Sequence, residues 1–305
     1  MSDAAQPPAF RDRLVGTLLG SALGDALGMP VEGLSHQNVR TYYKGIKGLR
    51  ADEKREDLDA GQWTADTQRA RALTHALTAG APDSPDAVRA ALALPAGAAL
   101  RRDGVVSPSS AGAAAAAPLG VQARLRGLKS LAGARWAQTL LQDVDPSPVA
   151  HVAAAAQAAA IRVCLGNDPA SLAGPEILAA ARDTAAEAER LLGADDRVSS
   201  RLATLQGHLD AFPLDLQDAC NGTGSAADEA FPFAVAMVAR SPHLVESTYL
   251  SAVNVGGDAA AVGACVGALL GALHGASALP AEWMAGLEGA DAIRAEAEAL
   301  VDALA

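Results

Sequence analysis

The chain has 305 residues, half of them apolar, with aromatics at only 3% and a formal charge of −11. That length suffices for a full hydrophobic core, and a core built from Ala, Leu, Val and Gly favours closely spaced helices over sheets. The negative balance and the lack of a Lys/Arg stripe exclude nucleic acid as a partner, because phosphate binding needs clustered cations; even Lys44–Arg55 is diluted by acids.

The predicted elements are almost all helical. Periodicity broken by Pro and Gly places helices over roughly 9–28, 63–79, 85–94, 110–126, 131–142, 147–165, 172–192, 198–211, 227–240, 244–254, 258–274 and 288–304. The stretches around 45–62 and 220–226 read as loops, and no segment reads as an interdomain linker. The expectation is an all-α, single compact multi-helix domain over 1–305. In the first helix Gly16, Gly20, Gly24 and Gly28 recur every fourth residue; in the helix after Asp258, Gly263, Gly267, Gly271 and Gly275 do the same. Glycine costs about 1 kcal/mol relative to alanine inside a helix, so two such ridges need a compensating gain. Close backbone approach along i, i+4 ridges supplies it. These two helices are therefore expected in the core, crossing each other directly and bringing Asp25, Glu32 and Asp258 towards one place.

Cys164, Cys220 and Cys265 form no CxxC pair, which fits a reducing cytoplasm. The opening MSDAAQPPAFRDR lacks the order of a signal peptide. The longest apolar run, Ala259–Leu273, is too short and glycine-rich for a membrane span. The six histidines show no HxxxH or HxxH spacing, and no nucleophile elbow, P-loop or dinucleotide fingerprint appears.

Three polar clusters interrupt the helical pattern at helix ends: GDALGMPVEG at Gly24–Gly33, GQWTADTQ at Gly61–Gln68 and NVGGD at Asn254–Asp258. Singly, Thr64, Asp66 or Asp258 reads as a helix N-cap, and Asp25 as a buried hydrogen-bond partner. Together, and followed by a glycine-ridged helix, they resemble the ADP-ribosylglycohydrolase family, which includes the dinitrogenase-reductase-activating glycohydrolases and a crystallin relative. The resemblance runs over nearly the whole chain and is strongest at 11–33, 61–72 and 221–286.

The resemblance implies an all-α fold with a two-metal magnesium or manganese site that hydrolyses the glycosidic bond between ADP-ribose and an acceptor. Hard dications prefer oxygen ligands, and two of them close together need carboxylates between and around them. Carried over by position, the family's catalytic acid matches Glu32, and metal ligands match Thr64, Asp66 and Asp258. Alanines stand at other ligand positions: Ala65 in the Thr-Asp-Asp triplet, and Ala260 and Ala261 where the family has its metal-bridging Asp and a Thr. Alanine offers no lone pair, so the set has room for at most one weakly held Mg or Mn, or none. A substrate-side Asn-Gly-x-x-Met-Arg-x-x-Pro segment matches Ser110–Pro118, with Ala115 at the Arg, and a family His matches Asp143. The turn Gly222-Thr223-Gly224 either offers backbone N–H groups to a phosphate or ribose or simply joins two helices.

Two functional expectations follow. In the first, the chain has lost or much reduced hydrolase activity and binds ADP-ribose, a related nucleotide or an unidentified protein partner. In the second, it is an active Mg- or Mn-dependent hydrolase that draws on further carboxylates such as Asp25 or Asp228, the latter otherwise a helix cap.

Overall fold

Two helices rich in small residues run antiparallel through the middle of the molecule: α1 (Phe10–Gly28) and α12 (Ala259–His274). The computed structural model describes residues 9–52, 58–80, 84, 109–142 and 145–305. Both helices are apolar on nearly every side, the pattern of a helix surrounded by protein, and both are buried along almost their whole length. Their glycines meet pairwise, Gly16 with Gly271, Gly20 with Gly267 and Gly24 with Gly263, while Gly28 meets Ala259. A Cβ at any of these glycines would overlap backbone atoms of the opposite helix. The Tyr249 hydroxyl enters the same seam and donates to the Gly20 carbonyl at 2.9 Å. The expectation of two directly crossing glycine ridges is met.

The other helices wrap this pair. In chain order they are α2 (Ala65–Ala79), the single turn α3 (Ala111–Ala114), α4 (Ala117–Leu125), α5 (Ser130–Leu141), α6 (Pro148–Gly166), α7 (Gly174–Leu192) and α8 (Arg197–Leu205). There follow α9 (Pro213–Ala219), α10 (Ala227–Arg240), α11 (Val245–Val253), α13 (Ala281–Gly286) and α14 (Ala290–Leu304). Alanine-rich α6 packs against α4, α5 and α7 and reaches α12; α10 and α11 cover α12; α14 closes over α1 and α2. The buried side chains form one contiguous cluster dominated by Ala, Leu and Val, so small side chains let many helices share one core. Among the described residues there is no strand, only two isolated bridges, Ser35 with Gly256 and Ser109 with Ala226.

Most predicted helices lie within two residues of their observed bounds. The one expected over 110–126 is broken at Ala115–Ala116, just before the proline at 118, which suits only a first turn. The one expected over 198–211 ends at Leu205, shortly before Gly207. Short helical turns at His36–Tyr43, α9 and α13 were not expected. The helix expected over 85–94 and the Asp143 match lie outside the described residues. Phe10–Val31 and Pro148–Gly166 are long and apolar enough to cross a bilayer by length and composition; in the fold, 100% and 83% of these windows are buried.

Candidate functional site

The polar clusters meet at the end of the glycine seam. Past Gly28 the chain turns through Met29–Val31 and presents Glu32. Gly33 donates to the Gly257 carbonyl at 2.7 Å and Gly257 to the Leu34 carbonyl at 2.8 Å, tying the first cluster to the third. Gly256 and Gly257 both have φ near +80°, 85° and 75°, a backbone that L side chains rarely adopt. Their lack of a Cβ also admits Leu34 and Thr223 at close range.

The second cluster is attached through Asp25. Its carboxylate, fully buried in α1, accepts from the Thr64 N–H at 3.0 Å, the Thr67 N–H at 2.9 Å and the Thr67 hydroxyl at 2.6 Å. It thereby satisfies free amides at the N-terminus of α2. Thr64 is the N-cap of that helix, its own hydroxyl accepting from the Asp66 N–H at 3.3 Å. Burial pushes the Asp25 carboxyl up, and the Thr67 and Thr64 donors partly offset this. Asp25 is thus a capping partner for another helix.

Glu32, Asp66 and Asp258 lie close enough to influence one another electrostatically. Glu32 and Asp258 are half-buried and share a hydrogen bond between their side chains. Glu32 also accepts from the Ala260 N–H at 2.8 Å, and the Ser110 hydroxyl donates to Asp258. Burial pushes the Glu32 carboxyl well up; the charge of Asp258 adds to this and the Ala260 amide opposes it. Burial likewise raises Asp258, offset in part by Ser110, Glu32, the Ala261 amide and the guanidinium of Arg69. Cys265, two turns beyond Asp258 along α12, is pushed well up by burial and then by Asp66 and Asp258.

Ala65, Ala260 and Ala261, the positions that the resemblance matched to ligands, are buried methyls. Ala115 is also buried in the core. At Ala260 the side chain contributes only a methyl while the backbone amide holds Glu32. Among the described residues no three His, Cys, Asp or Glu side chains converge on a point where a metal ion would sit.

Two members of the site were not foreseen as partners of the acids: Arg69 went unassigned in the sequence, and Ser110 was matched only as the start of the substrate-side segment. Ser110 is anchored through its N–H to the Ser225 carbonyl at 2.9 Å, and its neighbour Ser109 donates backbone and hydroxyl to buried Asp145. Arg69, only 8% exposed, reaches Asp66 at 3.4 Å. Its signal was a charged residue three positions after Asp66, on a helix face that the amphipathic pattern turns inward.

The Gly222-Thr223-Gly224 turn packs against the third cluster. The Thr223 carbonyl accepts from the Asp258 N–H at 2.6 Å and its hydroxyl donates to the Gly256 carbonyl at 3.0 Å. The Gly224 N–H donates to Glu229 at 3.1 Å. Asp228 is in the first turn of α10 rather than at its cap, where Ala226 stands, and makes a two-pronged pair with Arg197 at 3.0 Å for each hydrogen bond. An open cleft of about 570 Å³ on the other side of the Asn254–Val255 turn is lined by His36, Ile46, Phe212, Leu214 and Leu250. Phe212 there is 74% exposed.

An all-helical fold zipped by glycine, with acidic residues gathered at one end of the zipper, defines the class. The model of the ADP-ribosylglycohydrolase family matches residues 6–305. The chain belongs to the ADP-ribosylglycohydrolase family. It is similar to a solved structure titled "ADP-ribosylglycohydrolase-related protein complex", with a TM-score of 0.73 and 24% identity over 97% of this chain and 99% of that one. An uncharacterized protein of Archaeoglobus fulgidus is 45% identical over 60 residues, 20% of this chain and 19% of that protein; the match thus spans about a fifth of that relative's length.

Proposed function

We propose that this chain is an ADP-ribosylglycohydrolase-family protein, one domain over 1–305, that binds ADP-ribose or a related nucleotide with little or no hydrolysis. The observation that carries the reading is the partnering of the remaining acids. Glu32 and Asp258 bond to each other, Asp258 also takes the Ser110 hydroxyl, and Asp66 faces Arg69. A pair of dications does not fit this donor set. The position that the resemblance matches to the bridging ligand is the methyl of Ala260, and three carboxyl groups would face about four added positive charges with the Arg69 guanidinium already beside them. At most one weakly held Mg or Mn belongs to this reading.

A ligand has room in the cleft beside the Asn254–Val255 turn, whose volume suits a nucleotide-sized molecule. Exposed Phe212 offers a ring on which a base stacks. Gly222-Thr223-Gly224 supports the site by holding the Asp258 amide. A protein partner carrying ADP-ribose fits the same reading. The three cysteines, free and buried, suit a reducing cytoplasm.

Isothermal calorimetry with ADP-ribose tests the proposal. Saturable heat at sub-millimolar concentration, weakened by Phe212→Ala, with no free ADP-ribose released on incubation with ADP-ribosylated protein, is the expected result; absence of heat up to millimolar ligand overturns it. The second reading, a working metal hydrolase, is favoured by the mutual proximity of Glu32, Asp66 and Asp258. It requires turnover that chelator abolishes and that Asp258→Ala abolishes.

A further inference from the structure

Arg69 is buried in the same acidic cluster, and three observations bear on its role. Its guanidinium lies 3.4 Å from Asp66, and both side chains are about nine-tenths buried, at 8% and 10% exposure. Its charge is also felt at Asp258 across the site. It stands four residues after Ala65 in α2, so the two positions are stacked on one helix face. A carboxylate at 65 and an aliphatic residue at 69 would make that face an anionic wall; a methyl at 65 and an arginine at 69 make it self-neutralising. A buried charge persists only when it is paired, and a guanidinium stays charged over the whole range in which proteins fold.

We propose that Arg69 is the resident cation of this centre: its guanidinium compensates Asp66 and Asp258 in the role that divalent metal would otherwise have, which makes the folded state metal-independent. This deepens the proposed function and rests on it only for the absence of a bound ion pair. The charge balance is coherent. Three carboxyl groups share one guanidinium and one carboxyl–carboxyl hydrogen bond, which leaves far less uncompensated charge than three bare carboxylates would. Neither the Ala65 methyl nor the Ala260 methyl competes for the guanidinium.

The test follows the melting temperature of chelator-stripped full-length protein with and without millimolar manganese chloride, at pH 7.5. The wild-type Tm is expected to be unmoved by manganese or by chelator. Arg69→Met should lower Tm in metal-free buffer by roughly 5–10 °C, and manganese should restore roughly half of that loss. The double variant Asp66→Asn/Arg69→Met, which removes both partners of the 3.4 Å pair, should melt above Arg69→Met, because the carboxylate nearest the guanidinium is then no longer left as a buried charge without it. That comparison also decides the matter if Arg69→Met alone does not fold: a folded double variant upholds the proposal. A double variant as damaged as the single one means that Arg69 acts through packing, and overturns it. A wild type that gains stability from manganese and loses it to chelator overturns both this proposal and the metal-free part of the function. An indifferent wild type with an undamaged, manganese-indifferent Arg69→Met overturns this proposal alone. Nucleotide affinity enters none of these readouts.

Discussion

The same two helices, α1 and α12, are joined by two unlike contacts. Along Gly16–Gly28 the contact is backbone on backbone, with only the Tyr249 hydroxyl entering from a side chain. Just beyond, at Glu32, Asp258 and Ala260, it is a set of side-chain and amide hydrogen bonds. The seam admits no added atom, whereas the polar end can exchange one residue type for another if charge and hydrogen bonding stay balanced. Glycines therefore fill the seam, while Ala65, Ala260 and Ala261 stand as buried methyls at the polar end. Packing constrains volume and electrostatics constrains sums; only the second can be met in several ways.

The largest effect expected is from Gly24→Val. Its Cβ would overlap the Gly263 carbonyl, and with backbone on both sides the cost exceeds about 5 kcal/mol, comparable to the whole stability of a marginal domain. Loss of soluble, helical protein by circular dichroism is the expected outcome; a well-folded variant would mean that the seam is looser than drawn. Asp25→Ala comes next. It strands the Thr64 and Thr67 amides and the Thr67 hydroxyl in the interior, at about 3–5 kcal/mol in urea unfolding. Ser110→Ala sharpens the comparison from the polar side. It removes one donor to Asp258, costs about 1–2 kcal/mol and leaves the helical spectrum unchanged.

The smallest effect is expected at Glu296, where α14 meets α2. Arg71 holds it at 2.9 and 2.5 Å, and His75 lies 3.0 Å away. Burial would raise this carboxyl, but the Arg71 and His75 contacts outweigh it and leave it below its ordinary value. A depressed carboxyl contributes stability above its unfolded pKa of about 4.3, and the contribution is lost as pH falls through the folded value. Glu296→Gln should therefore cost about 0.5–1 kcal/mol at pH 7, and the two unfolding curves should converge below about pH 4. A gap that persists in acid would assign the effect to packing.

The fold was legible in the sequence to an unusual depth because its strongest signal, glycine at every fourth position in two distant helices, is local and periodic. The clusters at 24–33, 61–68 and 254–258 were legible as partners for the same reason: each sits where helical periodicity stops. Arg69 was not assigned to the site, and Ser110 was matched to the substrate-side segment without its bond to Asp258. An arginine three residues after an aspartate looks like an ordinary surface pair until the helix is docked, and no spacing along the chain links Ser110 to a residue 148 positions away. Asp25 was recognised as a structural partner, but the amides it serves, 39 and 42 residues away, became visible only in the fold. Helices α9 and α13 were missed because six or seven residues carry too little periodicity to separate a helix from a turn.

The sequence by itself determined that the chain is helical and which two helices cross, because those facts reside in spacing and residue identity along one stretch of chain. Only the tertiary structure decided how the surviving charges are met. The mutual influence of Glu32 and Asp258, the Ser110 hydroxyl and the Arg69 guanidinium all act through space between segments far apart in the chain, and the energy of a buried charge is set by what surrounds it rather than by what precedes it.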